Sequence, residues 1–169
     1  MATRTSLRDY QRALAERLRG AASGRAASKL GVQVGGDAWL VDLADAGEVI
    51  PVPPLTAVPL TQPWFRGVAN VRGRLCSVVD FPAFLGGAAL QAGEQARLLL
   101  LGDKFRMSSG LLVDRSLGLR AAEQLQADPA GAAASPWQKA QYRDAEGKTW
   151  KELDVARLVQ SPAFLEVAA

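Results

Sequence analysis

The sequence predicts a mainly β protein made of small curled sheets, and three observations carry that prediction. Short apolar or alternating runs, Leu30 to Val34, Ala38 to Leu43, Leu75 to Val79, Arg97 to Leu101 and Gly110 to Val113, are bounded by Gly, Asp and Pro, the pattern of short strands. Gly35-Gly36-Asp37 and Gly102-Asp103-Lys104 sit between such runs, where glycine supplies the positive φ that hairpin turns need. The arrangement then repeats. Each hairpin is followed by a polar connection leading to another strand, at Asp45 to Val49 and again at Arg115 to Leu119. Strands this short, with these breakers, close into small barrels instead of a parallel α/β sheet.

Taken in order, the chain opens on polar Met1 to Ser6, which lacks the apolar region of a secretory signal. From Ser6, a good N-cap, Leu7, Tyr10, Leu14 and Leu18 recur at three- and four-residue steps, while Arg8, Arg12 and Arg19 fall opposite. This spacing predicts an amphipathic helix ending near Gly20. Its apolar stripe fits docking on the body or on a neighbour with the arginines solvated; a basic helix lying on a membrane surface or an acidic polymer is the other reading. Ala21 to Ser28 is a small-residue linker.

Pro63 to Asp80 reads as a turn, a short apolar segment and two strands joined through Asn70 to Arg74, with Gly67 and Gly73 permitting tight backbone geometry. Arg66, Arg72 and Arg74 set planar donors along it. Pro82, one residue after Phe81, predicts a short helix, Pro82 to Leu85, stopped by Gly86-Gly87. Gly87 to Gln95 is expected to bridge the two halves, and Asp128 to Pro136 to form a mobile loop. Trp150 to Val155 returns to an apolar pattern, and Asp154 is placed to cap a last helix over Val155 to Val159.

Composition narrows the chemistry. With 49% hydrophobic and 22% charged residues in 169, the chain has globular composition. It contains no histidine and one cysteine, Cys76, so His-based triads, Cys-His pairs, His-ligated zinc, internal disulfides and CxxC redox pairs are excluded. No cofactor and no metal site are expected. Asp42 and Asp45 lie close in sequence, but spacing alone gives them no acid–base geometry. The net charge of +3 is uneven: six arginines oppose two acids up to residue 25, and the remaining residues carry 14 basic and 15 acidic groups. Basicity therefore belongs to the N-terminal segment and not to the body. No apolar run is long enough to span a membrane.

The stretch Pro63-Trp64-Phe65-Arg66-Gly67-Val68-Ala69-Asn70-Val71-Arg72-Gly73-Arg74-Leu75-Cys76-Ser77-Val78-Val79-Asp80 resembles the signature of the CheW-like chemotaxis coupling family. Likeness continues through Ala38 to Val49, with Asp42 and Glu48 at the acidic positions, through Leu98 to Asp114, and at Leu153 to Val159. Ser77 stands where that family usually has proline. The resemblance covers residues 30–160, leaving 1–29 as helix and linker and 161–169 as a C-terminal tail. Trp64 to Leu75, Phe84-Leu85-Gly86 and Phe164 to Ala169 are similar to the branch serving type IV pili and twitching motility.

The resemblance implies two intertwined five-stranded barrels, similar to SH3 barrels, that share a hydrophobic interface. It also implies a non-catalytic adaptor in the cytoplasm, recruited to membrane-associated receptor arrays. Its implied partners are the regulatory domain of a CheA-like histidine kinase and the cytoplasmic tip of a methyl-accepting chemoreceptor, with neither nucleic acid nor membrane insertion. Carried onto this chain, the coupling position is Arg72, with Glu48 near it and Asn70, Arg66, Gly73 and Arg74 around it. Arg72 and Glu48 either meet a partner or buttress the corner. Trp39, Trp64, Phe65 and Phe105 are candidate apolar anchors. The rival reading is a small β-barrel that binds nucleic acid, because Arg66, Arg72, Arg74, Trp64 and Phe65 mix charge with aromatics.

Overall fold

The computed structural model describes residues 28–131 and 135–169. The expected N-terminal helix lies outside the described residues. Among the described residues, eleven strands form two sheets. Strands β1 (Ser28–Val34) and β2 (Asp37–Asp42) make the first hairpin, turned at Gly35 with φ +60. The chain then builds β3 (Ala46–Pro51), β4 (Phe65–Val71), β5 (Arg74–Asp80), β6 (Arg97–Leu101) and β7 (Ser109–Val113), which form one sheet in the order β3-β6-β7-β5-β4. It returns to the first sheet as β8 (Arg115–Ala121), β9 (Leu125–Ala127), β10 (Gln138–Asp144) and β11 (Thr149–Leu153), in the order β8-β1-β2-β11-β10-β9.

The two sheets share one plan. A central hairpin (β1-β2 or β6-β7) pairs in parallel with an outer hairpin (β11-β10 or β5-β4) and, on its other side, with a strand delivered by the other half of the chain. Thus β3 leaves the first hairpin to pair with β6, and β8 leaves the second to pair with β1. The expected repeat of hairpin and following strand is present, but the following strand is exchanged between sheets. Each sheet also curls shut in the same manner. β8 bends through Ala122–Gln124 into β9, which pairs with β10, while the chain beyond β3 reaches β4 through Thr56 and Val68, bonded both ways at 2.8 and 2.9 Å. Counting β8 and β9 as one bent strand, each curl has five.

Alternation sorts the side chains into three cores. Leu98, Leu112 and Val78 fill one curl with Ala69, Leu90 and Ala96; Leu40 and Trp150 fill the other with Ala38 and Leu125. Leu99, Leu101, Leu111, Val113 and Val79 point the opposite way and meet Leu30, Val32, Val34, Trp39 and Val41 in a shared core. Strands buried on both faces explain why the Arg97 to Leu101 run reads as continuous and not alternating. An aromatic group seals this core: Trp64 stacks on Phe164 at 6.5 Å and meets Phe84 edge-on at 5.1 Å.

Helices α1 (Phe81–Phe84), α2 (Val155–Gln160) and α3 (Pro162–Leu165) are short, and Asp80, Asp154 and Ser161 cap them from the side chain. Gly87 to Gln95 leads from β5 and α1 into β6 and so joins the first half of the chain to the second, with both ends on one sheet. One expectation changes. Gly102 to Lys104 is not a two-residue hairpin turn; Asp103–Phe105 forms a 3-10 turn ended by Arg106 at φ 54. Residues 161–169 are held to the body: Phe164 is buried in the shared core, and Thr61 bridges Ala168.

Candidate functional site

The β4-β5 hairpin carries most of the sequence signature, and its turn is Arg72-Gly73. Val71 pairs with Arg74 across two residues at φ 53 and φ 80, the doubly positive geometry that suits the right-handed strand twist. Gly73 has open space around its Cα, so its role is conformational freedom. Asn70 Oδ1 accepts the Gly73 N–H at 2.8 Å and fixes the turn. Arg72 is a non-glycine residue held in left-handed backbone, a strained arrangement for a side chain with a Cβ.

Arg72 Nη2 lies 2.6 Å from Glu48 Oε1, and the pair is exposed, 73% for the arginine side chain and 42% for the glutamate. Hydrogen bonding and the glutamate charge hold the Arg72 pKa above its ordinary value. Because β3 and β4 are the two outer strands of their sheet, this ion pair spans the seam where the sheet closes. Gly67 makes the closure possible. At φ +117, an added Cβ there would collide with the Thr56 carbonyl.

Beside the turn lies a cleft of about 280 Å³ with Val71, Cys76, Leu100 and Met107 among its apolar walls and Glu48, Arg72, Arg74 and Asp103 on its rim. Arg74 Nη1 is 3.5 Å from Asp103 Oδ1, both widely exposed. Cys76 is buried, and burial pushes its thiol pKa up. The residue is therefore a poor thiolate source.

Arg66 behaves differently from its neighbours. Its Nη1 donates to Asp80 Oδ2 at 3.0 Å and to the Leu90 carbonyl at 3.2 Å. Asp80 is wholly buried and also accepts the Ala83 N–H at 3.0 Å and the Leu90 N–H at 2.8 Å. One carboxylate thus caps α1, anchors the following loop and is neutralised by Arg66. Asp80 directly before Phe81-Pro82 is a helix-start pattern legible in sequence; its link to Arg66 is not.

The remaining candidates scatter. Trp39 is core, and Trp64, Phe65 and Phe105 pack partly buried against the shared core. Asp42 holds Lys29 at 2.9 Å, and Asp45 holds Lys104, so the two aspartates form no joint acid–base site. With Arg66, Arg72 and Arg74 each facing a carboxylate and Trp64 stacked in the aromatic seal, the mixed basic-aromatic strip behind the nucleic-acid reading is not assembled. Among the described residues, no group of three His, Cys, Asp or Glu side chains is placed to hold a metal ion, and no helix is long and apolar enough to cross a membrane.

The other curl holds a charged interior. Glu152 is buried, and its Oε1 accepts from Lys29 Nζ at 2.6 Å and its Oε2 from Tyr142 Oη at 2.9 Å. Desolvation alone lowers the Lys29 pKa, but Glu152 and Asp42 outweigh it and the net direction is upward. Tyr142 is raised as well, by burial first and then by Glu152.

Comparison with known proteins agrees with this architecture. The chain is 31% identical over 147 residues to Protein PilI of Pseudomonas aeruginosa, covering 83% of this chain and 80% of that protein. The crystal structure of the scaffolding protein TtCheW from Thermoanaerobacter tengcongensis superimposes with a TM-score of 0.64 at 16% identity, covering 76% of this chain and 89% of that one. The family description "CheW-like domain" matches residues 29–163, and the chain belongs to the CheW-like family.

Proposed function

We propose that this protein is a non-catalytic adaptor of a chemosensory pathway that controls type IV pili and twitching motility. It joins the cytoplasmic tip of a methyl-accepting chemoreceptor to the regulatory domain of a CheA-like histidine kinase, working in the cytoplasm at membrane-associated receptor arrays. The observation that carries this reading is the 31% identity to PilI along 147 residues. The geometry supports it. A rigid pair of curls sharing one core presents the turn Arg72-Gly73 outward, and a scaffold needs fixed surfaces in place of reactive groups. On this reading Arg72, Glu48, Asn70, Gly73 and Arg74 form the coupling surface, and Arg66 contributes through Asp80 by holding the hairpin to α1.

Isothermal calorimetry against the regulatory domain of the cognate kinase tests the proposal. Binding near micromolar, roughly −8 kcal/mol, is the expected result; no heat at high concentration overturns it.

A further inference from the structure

Each arginine of the β4-β5 hairpin faces a carboxylate: Arg66 meets Asp80, Arg72 meets Glu48 and Arg74 meets Asp103. Arg97 and Arg115 are held by neutral oxygens instead, and among the described residues neither makes an ion pair. Arg97 opens β6, and its Nη1 donates to the Glu94 carbonyl at 2.7 Å and to the Ala96 carbonyl at 2.8 Å. Arg115 opens β8, and its Nε donates at 2.7 Å to Oε1 of Gln33, its partner across the β1-β8 ladder. A neutral anchor fixes a guanidinium in place and leaves its charge unspent. It also leaves one whole edge of each fork without a partner among the described residues, Nε and Nη2 of Arg97 and Nη1 and Nη2 of Arg115. The two arginines line one cleft of about 290 Å³ together with Gln95 and Ser116, and no carboxylate lines it. The acids next to these residues in the chain are Glu94 and Asp114. Asp114 accepts the Gly35 N–H at 2.5 Å and lines a different cleft, while exposed Glu94 meets Arg97 through its carbonyl.

We propose that this cleft is an anion site for a dianionic phosphoryl group, gripped by the free edges of Arg97 and Arg115 with Ser116 and Gln95 donating beside them. The ligand class follows from the donors. Guanidinium forks match phosphate oxygens two at a time, through charge-assisted hydrogen bonds. Ser116 Oγ accepts the Gly118 N–H at 3.4 Å and keeps its O–H to donate. Two forks, a hydroxyl and an amide offer more donors than the roughly four acceptor sites of a carboxylate can use. With Gln95, Arg97, Arg115 and Ser116 as its lining, the cleft has no apolar wall to hold a nucleobase or an acyl chain, so a nucleotide or a lipid gains nothing there beyond its phosphate. Arg97 belongs to one sheet and Arg115 to the other, at the crossing from β7 to β8. A bound dianion therefore ties the two sheets together. None of these residues belongs to the coupling surface, and the site stands apart from the adaptor reading.

The test is a nitrogen-15 amide-shift titration of the full chain at about pH 7.5, where phosphate monoesters are mostly dianionic. The probes are inorganic phosphate, O-phosphoserine and serine, with sodium chloride holding the ionic strength constant. Inorganic phosphate and O-phosphoserine are expected to move the amides of 94–97 and 115–118 along saturating curves, and serine to leave them in place. Tighter binding of O-phosphoserine assigns an esterified source and equal or tighter binding of inorganic phosphate assigns the free ion; both support the site. Shifts that do not saturate, that centre elsewhere or that serine reproduces overturn it. Arg115→Gln, at an exposed position, is expected to stay folded and to weaken phosphate binding about tenfold, and Arg97→Gln to do the same. Arg157→Gln removes an exposed arginine of α2 outside this cleft and is expected to leave the affinity unchanged. Equal loss in Arg157→Gln and Arg115→Gln reports diffuse charge attraction and overturns the assignment, as does unchanged affinity in folded Arg115→Gln.

Discussion

Arg66 and Arg72 lie six positions apart in one signature, and the structure gives them different work. Arg66 neutralises a carboxylate that has no solvent, whereas Arg72 holds an exposed glutamate across a seam. Surface ion pairs contribute little to stability, and breaking a buried one leaves an uncompensated charge. Asp80→Asn removes the charge from three hydrogen-bonded partners and is expected to cost about 3 kcal/mol, a fall in melting temperature of about 6–12 °C for a chain of this size. Scanning calorimetry checks it. Arg72→Ala is expected to leave the melting temperature unchanged while weakening partner binding; parallel loss of fold and binding assigns Arg72 to a buttress. From sequence these arginines are equivalent, because the separation of Arg66 from Arg72 depends on where α1 and the Leu90 loop pack, which no local pattern encodes.

At the scale of elements, closure of the curls is what the signature glycines serve. Gly67 sits where β4 meets the Thr56 carbonyl, and its φ of +117 excludes other residues without strain. Gly67→Ala is expected to cost about 3 kcal/mol, read from the urea midpoint. Gly73→Ala meets no neighbouring atoms and is expected to cost only about 1 kcal/mol for its positive φ. The charged interior of the first curl makes a prediction in pH. Lys29 and Tyr142 both have pKa values raised by folding, so the folded state holds their protons more tightly than the unfolded chain. The stability they supply is present below their ordinary values near 10 and is lost as pH rises through the folded values. Denaturation midpoints are expected to fall above about pH 10, and to fall less steeply in Tyr142→Phe.

Strands β1, β2, β5, β6 and β7 are legible because buried strands concentrate aliphatic residues, and α1 and α2 follow start signals at Pro82 and Asp154, whereas α3, capped by Ser161, forms within the stretch expected to be a tail. β10 is not legible. Gln138–Asp144 is Gln-Lys-Ala-Gln-Tyr-Arg-Asp, whose alternation rests on Ala140 and Tyr142 alone, and it is a strand because β11 and β9 pair with it on both sides. Nor does sequence reveal that β3 and β8 change sheets, since exchange of equivalent strands leaves every local pattern intact.

For the whole molecule, strand exchange and the shared core make the two curls one cooperative unit. Each sheet requires a strand carried by the other half of the chain, and the shared core takes residues from both. Urea unfolding is expected to give one transition, with near-ultraviolet and far-ultraviolet circular dichroism coincident; two separated transitions contradict the interlocked description. Such a body is suited to hold two partners at a fixed separation. Reconstitution tests that holding most directly. Kinase regulatory domain is passed over immobilised receptor tips with and without this protein. The kinase domain is expected to be retained only when the protein is added, and Arg72→Ala to lower retention at unchanged melting temperature. Retention that does not depend on the protein, or none with it present, contradicts the account.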